Sequence, residues 1–335
     1  MTRIAFSYGL AAACLALALA LAPAASARTL LFEITDPAGD DHGNGRMVYP
    51  LATPFVKGDL DIVALRAYDV GNETMFEVEF AGQVRKTEAG AIDELGTDLD
   101  EIARHGFFTF NVDIYIDVDR EPGSGGQAML PGRLAEVDAD HAWDRAIILT
   151  PRPGAARGEL KRRWIKMLDQ AMRDARTERD DDDEAMQRSE LRDTVPDELS
   201  RRVYFPQKIR VRGRTVRLYV PDTFLRAKAS PEWSYVVAVS GADLEASFDV
   251  AGAVGLSPQR TGLFILPVSP GTWQNRFGGG RDDAPLQPPL IDIIAPEGTT
   301  QERLLSDYDS RQNRAAQIPG VVPAEVGKAA NGDER

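Results

Sequence analysis

In the stretch "FFTFNVDIYIDVD", Phe108, Phe110, Val112, Ile114, Ile116 and Val118 fall on one face of an extended chain, and Asn111, Asp113, Tyr115, Asp117 and Asp119 on the other. A period of two is that of a β-strand with one face toward a core. "IVALRAYDV" and "TMFEVEF" alternate in the same way around "GNE", which predicts a hairpin. "WDRAIILT" follows the glycine-rich "EPGSGGQAMLPG" as a further strand. Ile209 and Val211 before "RGR", with Val216, Leu218 and Val220 after it, predict a second hairpin, whose outer face carries Lys208, Arg210, Arg212 and Arg217. "WSYVVAVSG", "GLFILPVS" and "LIDIIAP" complete the strands.

The period changes from residue 158 to about 202, where glycine and proline almost vanish and Leu160, Trp164, Met167, Leu168 and Met172 recur at helical spacing. Two helices are expected there, broken near "DDDDE" and ended around Pro196. Adjacent aspartates on a helix point in different directions, so the acidic run reads as a solvated face or turn. Strands flank this insertion and no β-α-β alternation occurs, which predicts a mainly β chain, a β-sandwich with an inserted charged helical segment. One domain is expected over residues 28–322, followed by a tail over 323–335 with little to bury.

The first residues form a separate unit. Arg3, the apolar "AAACLALALALAP" and the small residues Ala25, Ser26 and Ala27 predict a signal peptide over 1–27, hence a periplasmic or secreted protein. The single cysteine, Cys14, falls inside it, which leaves the exported chain without a disulfide, a thiolate metal site or covalent haem. A lipoprotein reading of "LAAAC" is disfavoured because the apolar run continues beyond Cys14. The formal charge of −13, or −14 once Arg3 is lost, excludes a general nucleic-acid binder, which needs a basic surface. No later stretch is apolar for long enough to cross a bilayer as a helix.

Catalytic motifs are missing. The three histidines, His42, His105 and His141, have no metalloprotease spacing, and the chain has no nucleophile elbow, phosphate loop or dinucleotide fingerprint. "ITDPAGDDHGNGRMVYP", residues 34–50, is the most informative segment. Calcium takes hard oxygen ligands held in a tight turn. Asp36, Asp40 and Asp41 have loop spacing, and Gly39, Gly43 and Gly45 permit the positive φ angles of such a wrap. A plain Asx-rich turn is the competing reading.

Five blocks in order, "DPAGDDHGNGRMVYP", "DLDIVALRAYDVGNETMFEVEF", "FNVDIYIDVDREPGSGGQAMLPGR", "AWDRAIILT" and "FGGGRDDAPLQPPLIDIIAPEGTTQERLLSDYD", resemble the C-terminal domain of glucodextranase. That domain is a DOMON-like, immunoglobulin-like β-sandwich also found at the ends of amylopullulanases. The charged helical insertion departs from its pattern. The resemblance implies a non-catalytic module that binds carbohydrate or cell-envelope glycan, since the enzyme's catalytic machinery resides in a separate α-helical barrel. The related family 9 carbohydrate-binding modules combine structural calcium with aromatic sugar platforms, which implies calcium at Asp36, Asp40 and Asp41. Asp113 and Asp117 on the central strand are second candidates, against the reading of hydrogen-bonded strand aspartates. Among the aromatics, Trp164 reads as helix core and Trp143 and Trp233 as strand core, whereas Trp273 is a loop residue. Trp273, Asn275, Arg276 and Asp282 are therefore the expected sugar contacts, a plain loop anchor being the alternative. Two other functions compete: b-type haem binding, with His42, Met47, His105, Met129 and His141 as candidate ligands, and an assembly subunit presenting the helical arm to a protein partner.

Overall fold

The computed structural model describes residues 28–51, 55–86, 103–174, 181–243, 263–272, 276–281 and 285–324, of which 181–188 by backbone alone. The expected signal peptide, Trp273, Asn275, Asp282 and the tail from residue 325 lie outside the described residues.

Both expected hairpins form. β2 (Ile62–Asp69) and β3 (Glu73–Phe80) pair antiparallel around "GNE", and β8 (Ile209–Arg212) and β9 (Thr215–Pro221) around "RGR". With β1 (Thr29–Thr35) they make an antiparallel sheet in the order β1-β2-β3-β9-β8. The second sheet runs β11 (Asp292–Ile293), β10 (Ser234–Gly241), β4 (Phe110–Asp117), β6 (Arg145–Leu149), β7 (Val203–Tyr204), with only the last pair parallel. Leu65, Ala67, Phe76, Val78 and Leu218 of the first sheet interlock with Phe110, Val112, Ile114, Val237 and Val239 of the second. The architecture is that of a β-sandwich.

The outer face of the second sheet departs from the simple alternation. Tyr115, Ala146, Ile148, Val236 and Ala238 enter a second core, covered by α1 (Pro153–Asp174), α2 (Asp181–Arg202) and the parallel pair β5 (Ala135–Val137) and β12 (Ala316–Ile318). The continuous apolar run of β10 reflects burial on both faces. Ala156 and Leu160 of α1 and Leu199 of α2 fill this core, and Trp164 packs at its margin, while Met167 stays 63% exposed. The helices extend beyond expectation at both ends. Pro153 opens α1, where a missing N–H costs nothing, and α2 continues through Pro196 to Arg202. Burying Val195 and Leu199 on either side of Pro196, worth about 1.5–3 kcal/mol each, offsets the roughly 3 kcal/mol that an interior proline costs. The acidic run opens α2, where negative charge suits the helix dipole. One turn, α3 (Asp222–Leu225), follows β9 and leaves through Arg226 at φ +65°.

The basic face of the β8–β9 hairpin is partly neutralised from β3, while Arg210 and Arg212 stay exposed. Arg217 pairs with Glu77, Lys208 with Glu73 and Arg214 with Glu79, and Arg66 of β2 joins Glu79 to Glu33.

The polar face of β4 is buried and must satisfy itself. Asp113, a metal candidate in the sequence, is held by Arg133, which is fully buried and binds both carboxylate oxygens, Nη2 to Oδ1 at 2.8 Å. Tyr115 donates its hydroxyl to Asp113 and accepts from the Leu130 N–H. Asp113 is thereby a structural ion-pair member, committed to a guanidinium instead of a metal. Removing one partner of a buried pair strands the other charge. Arg133→Ala is expected to lower unfolding free energy by about 3–5 kcal/mol, whereas Arg192→Ala, which breaks the exposed pair with Asp169 between α1 and α2, costs about 1 kcal/mol or less. Urea denaturation of the two variants measures the difference.

Candidate metal centre

β1 ends at Thr35, and the Asp36 N–H donates to the Val63 carbonyl at 3.0 Å, so the next residues start beside β2. The chain then folds back on itself as its glycines predict. Gly39 at φ +96° donates its N–H to Asp61 Oδ2 at 2.7 Å, and Gly43 at φ +58° donates to the Ile291 carbonyl at 2.8 Å. A Cβ on Gly43 would meet the Leu290 carbonyl oxygen at 2.7 Å, so any larger residue pushes the loop off β11. The far side is fixed by α4 (Gln301–Ser306). The buried Gln301 amide accepts from the Ile293 N–H at 2.6 Å and donates to the Asp40 carbonyl, tying loop, strand and helix together.

Four carboxylates converge at this joint. Asp36, Asp40 and Asp292 each place an oxygen within 4.8 Å of the others. Asp61 is coupled electrostatically to Asp36, Asp40 and Asp292. Asp61 and Asp292 each spend Oδ2 on a backbone N–H, of Gly39 and Ile62 respectively. Asp36 Oδ2, Asp40 Oδ1, Asp61 Oδ1 and Asp292 Oδ1 are buried without a hydrogen-bond partner. Burial and mutual repulsion push Asp36 up to about 8 and Asp61 to about 6, and raise Asp40 and Asp292 as well. Unpaired buried carboxylate oxygens in this number fit a hard cation that takes only oxygen ligands.

Asp41 borders this group with its own Oδ1 buried and without a hydrogen-bond partner, and it also fixes the loop. Its Oδ2 accepts from the Tyr49 hydroxyl and from the Gly58 N–H at 2.6 Å, pinning the loop to the chain entering β2. The alternation rules that locate strands do not single out Asp61 or Asp292. Their signal is an aspartate next to apolar residues in "DLDIV" and "LIDIIAP", and both side chains are buried. Asp117, at the end of β4, lies instead with Asp119 and Asp144.

Of the expected sugar contacts, Arg276 is described and half-buried. Its segment is stitched to the acidic loop, since Val48 and Gly278 exchange N–H···O bonds of 3.1 and 2.9 Å. Beside this seam opens a polar cleft of about 460 Å³, lined among others by Asn44, Arg46, Arg281, Tyr308, Asp309 and Arg311. None of these was evident in the sequence, because the cleft joins three distant segments. The candidate haem ligands are not gathered. Met47 packs in the first core and Met129 in the second, on opposite faces of the second sheet. His42 lies 3.3 Å from Glu302, and His141 hydrogen-bonds Ser234.

The raised carboxylates fix a sign for pH dependence. Without a cation the folded protein retains protons that the unfolded chain has already released above its ordinary carboxylate pKa, so stability falls as pH rises from about 4 to the folded value of about 8 for Asp36. In chelator the melting temperature is expected to fall between pH 5 and 8. Calcium should remove that slope, and Asp36→Asn should flatten it without calcium. A calorimetric series across pH, with calcium and with chelator, measures all three.

Residues 31–320 match the family model of the C-terminal binding module, SLH-like, of glucodextranase. No curated protein matches the chain. The match spans both sheets, the acidic loop and its partners on β2, β11 and α4, and the chain therefore belongs to the family of glucodextranase C-terminal binding modules.

Proposed function

We propose that the protein is an exported, non-catalytic module that binds carbohydrate or cell-envelope glycan and is stabilised by calcium. The observation that carries this reading is the set of four buried, unpartnered carboxylate oxygens of Asp36, Asp40, Asp61 and Asp292 in a chain whose family is a binding module. A bound calcium ion would supply the positive charge that these side chains lack. The protein's own residues do the rest: Gln301 holds the Asp40 carbonyl, Asp41 anchors Tyr49, and the Val48–Gly278 exchange carries the order of the loop to the segment around Arg276.

The sugar would meet that segment, with Trp273 as a flat apolar face and Asn275, Arg276 and Asp282 as polar contacts, next to the cleft of Arg46, Arg281 and Tyr308. Export rests on the expected signal peptide. The helical pair, outside the second core, remains available for a protein partner on the exposed face of α1 and α2.

Thermal unfolding with calcium, then with chelator, each with and without α-glucans and envelope polysaccharides, tests the reading. A site filled to a hundredfold over its Kd stabilises by about 2.7 kcal/mol. Wild type should gain several degrees from calcium and a further shift from one polysaccharide class. Asp292→Asn should lose the calcium shift and weaken glycan retention, and Trp273→Ala should lose retention alone. Equal melting temperatures in calcium and chelator across wild type and Asp292→Asn, with no retention on any polysaccharide, would sink the proposal.

A further inference from the structure

A second group of carboxylates sits at the other end of the second sheet. Along β10, Val239 pairs with Asp292 and Ser234 with Asp117, so five residues, roughly 17 Å at about 3.4 Å each, separate the two positions. Asp117, Asp119 and Asp144 each place a carboxylate oxygen within 4.8 Å of the others. We propose that the loop closing β4 binds a second divalent cation, of the calcium type, on Asp117, Asp119 and Asp144.

The observation that lifts this group above an ordinary acidic turn is Asp117 itself. Its side chain is 2% exposed, and Oδ2 is buried with no hydrogen-bond partner, while Oδ1 accepts from the Arg120 N–H at 2.7 Å. An ionised, buried oxygen without a partner is costly, and the two further carboxylates of Asp119 and Asp144 add repulsion. Burial, Asp144 and Asp119 hold the Asp117 carboxyl above the usual range.

Two of the basic groups alongside are committed to backbone carbonyls. Arg145 donates to the carbonyls of Asp144 and Phe224, and Arg202 donates to the Trp143 carbonyl with its guanidinium 4.7 Å from the indole centroid. His141 directs Nδ1 to Ser234 Oγ at 2.8 Å. Arg226 and Glu198 line the adjoining cleft.

The loop is built for oxygen ligands. "DVDREPG" places acids at alternate positions, Asp117, Asp119 and Glu121, followed by Gly123 at φ +76°, a spacing that lets one turn present several oxygens to one ion. Its shape is already set by local bonds: Val118 N–H to Asp144 Oδ2 at 3.0 Å, Glu121 N–H to Asp119 Oδ1 at 3.0 Å, and Ser124 Oγ to Asp119 Oδ2 at 3.2 Å. Trp233 lines the same cleft as Asp119 and Asp144, within reach as an optical reporter.

The test is stoichiometry and site-resolved luminescence on the whole exported chain. Equilibrium dialysis against calcium should find two ions on wild type, one on Asp117→Asn, one on Asp292→Asn and none on the double variant. Terbium under tryptophan excitation should lose most of its sensitised emission in Asp117→Asn and in Trp233→Phe, the latter with two ions still bound. Asp119 is exposed, so Asp119→Asn repeats the experiment if Asp117→Asn fails to fold. Two ions on both Asp117→Asn and Asp119→Asn, or one ion on wild type that only Asp292→Asn removes, overturns this second site and leaves the first standing. One ion on wild type that only Asp117→Asn removes supports it and overturns the calcium assignment at Asp292.

Discussion

A carboxylate on β4 or β11 has no water to turn to, because the sheet that holds it is covered by the first sheet on one side and by α1, α2 and the β5–β12 pair on the other. An ionised group in such a place must meet an opposite charge or give up its own. Asp113 meets Arg133. Asp292 and Asp117 have one oxygen each on a backbone N–H and one with nothing, and around each of them further aspartates gather. The same constraint therefore yields a buried ion pair in the middle of the sheet and an acidic cluster toward each end. The helical insertion helps to seal the face on which Asp113 would otherwise be solvated, and its Glu198 and Arg202 line the cleft beside Asp119 and Asp144.

The first sheet handles charge in the opposite way. β9 alternates buried and half-exposed positions along its length, so Arg217 can reach both water and Glu77 of β3. Pairs of this kind contribute little each. Their effect is on order and specificity: Glu33, Arg66, Glu77 and Arg217 form a ladder of alternating signs across β1, β2, β3 and β9 that favours one register, and Arg210 and Arg212 give the edge strand β8 a charged surface that discourages pairing with another chain.

What the sequence made legible follows from the same difference. Strands with one wet face announce themselves by alternation, and both hairpins of the first sheet stand where "GNE" and "RGR" place them. The acidic loop was legible too, since aspartates and positive-φ glycines leave a local trace, and Gly39, Gly43 and Gly45 all adopt positive φ. The apparent polar face of β4 was not, because the layer that covers it comes from residues 135–205 and 316–318, far along the chain. Asp61 and Asp292 join Asp36 only through tertiary structure, and a lone aspartate in an apolar run carries no label saying which partner it awaits. Pro196 misled in the usual manner of a local rule: its cost is real, and the burial of Val195 and Leu199 is larger.

Gln301 grips the carbonyl of Asp40 across 261 residues of chain. Synthesis delivers the two partners far apart in time, so the acidic loop waits, unfastened, until the segment of α4 has been made. Closing so long a loop carries a large entropic search and belongs to slow, non-local folding. The joint at Asp40 is thus a latch that closes only after α4 exists, and a chain cut short before α4 lacks the clasp.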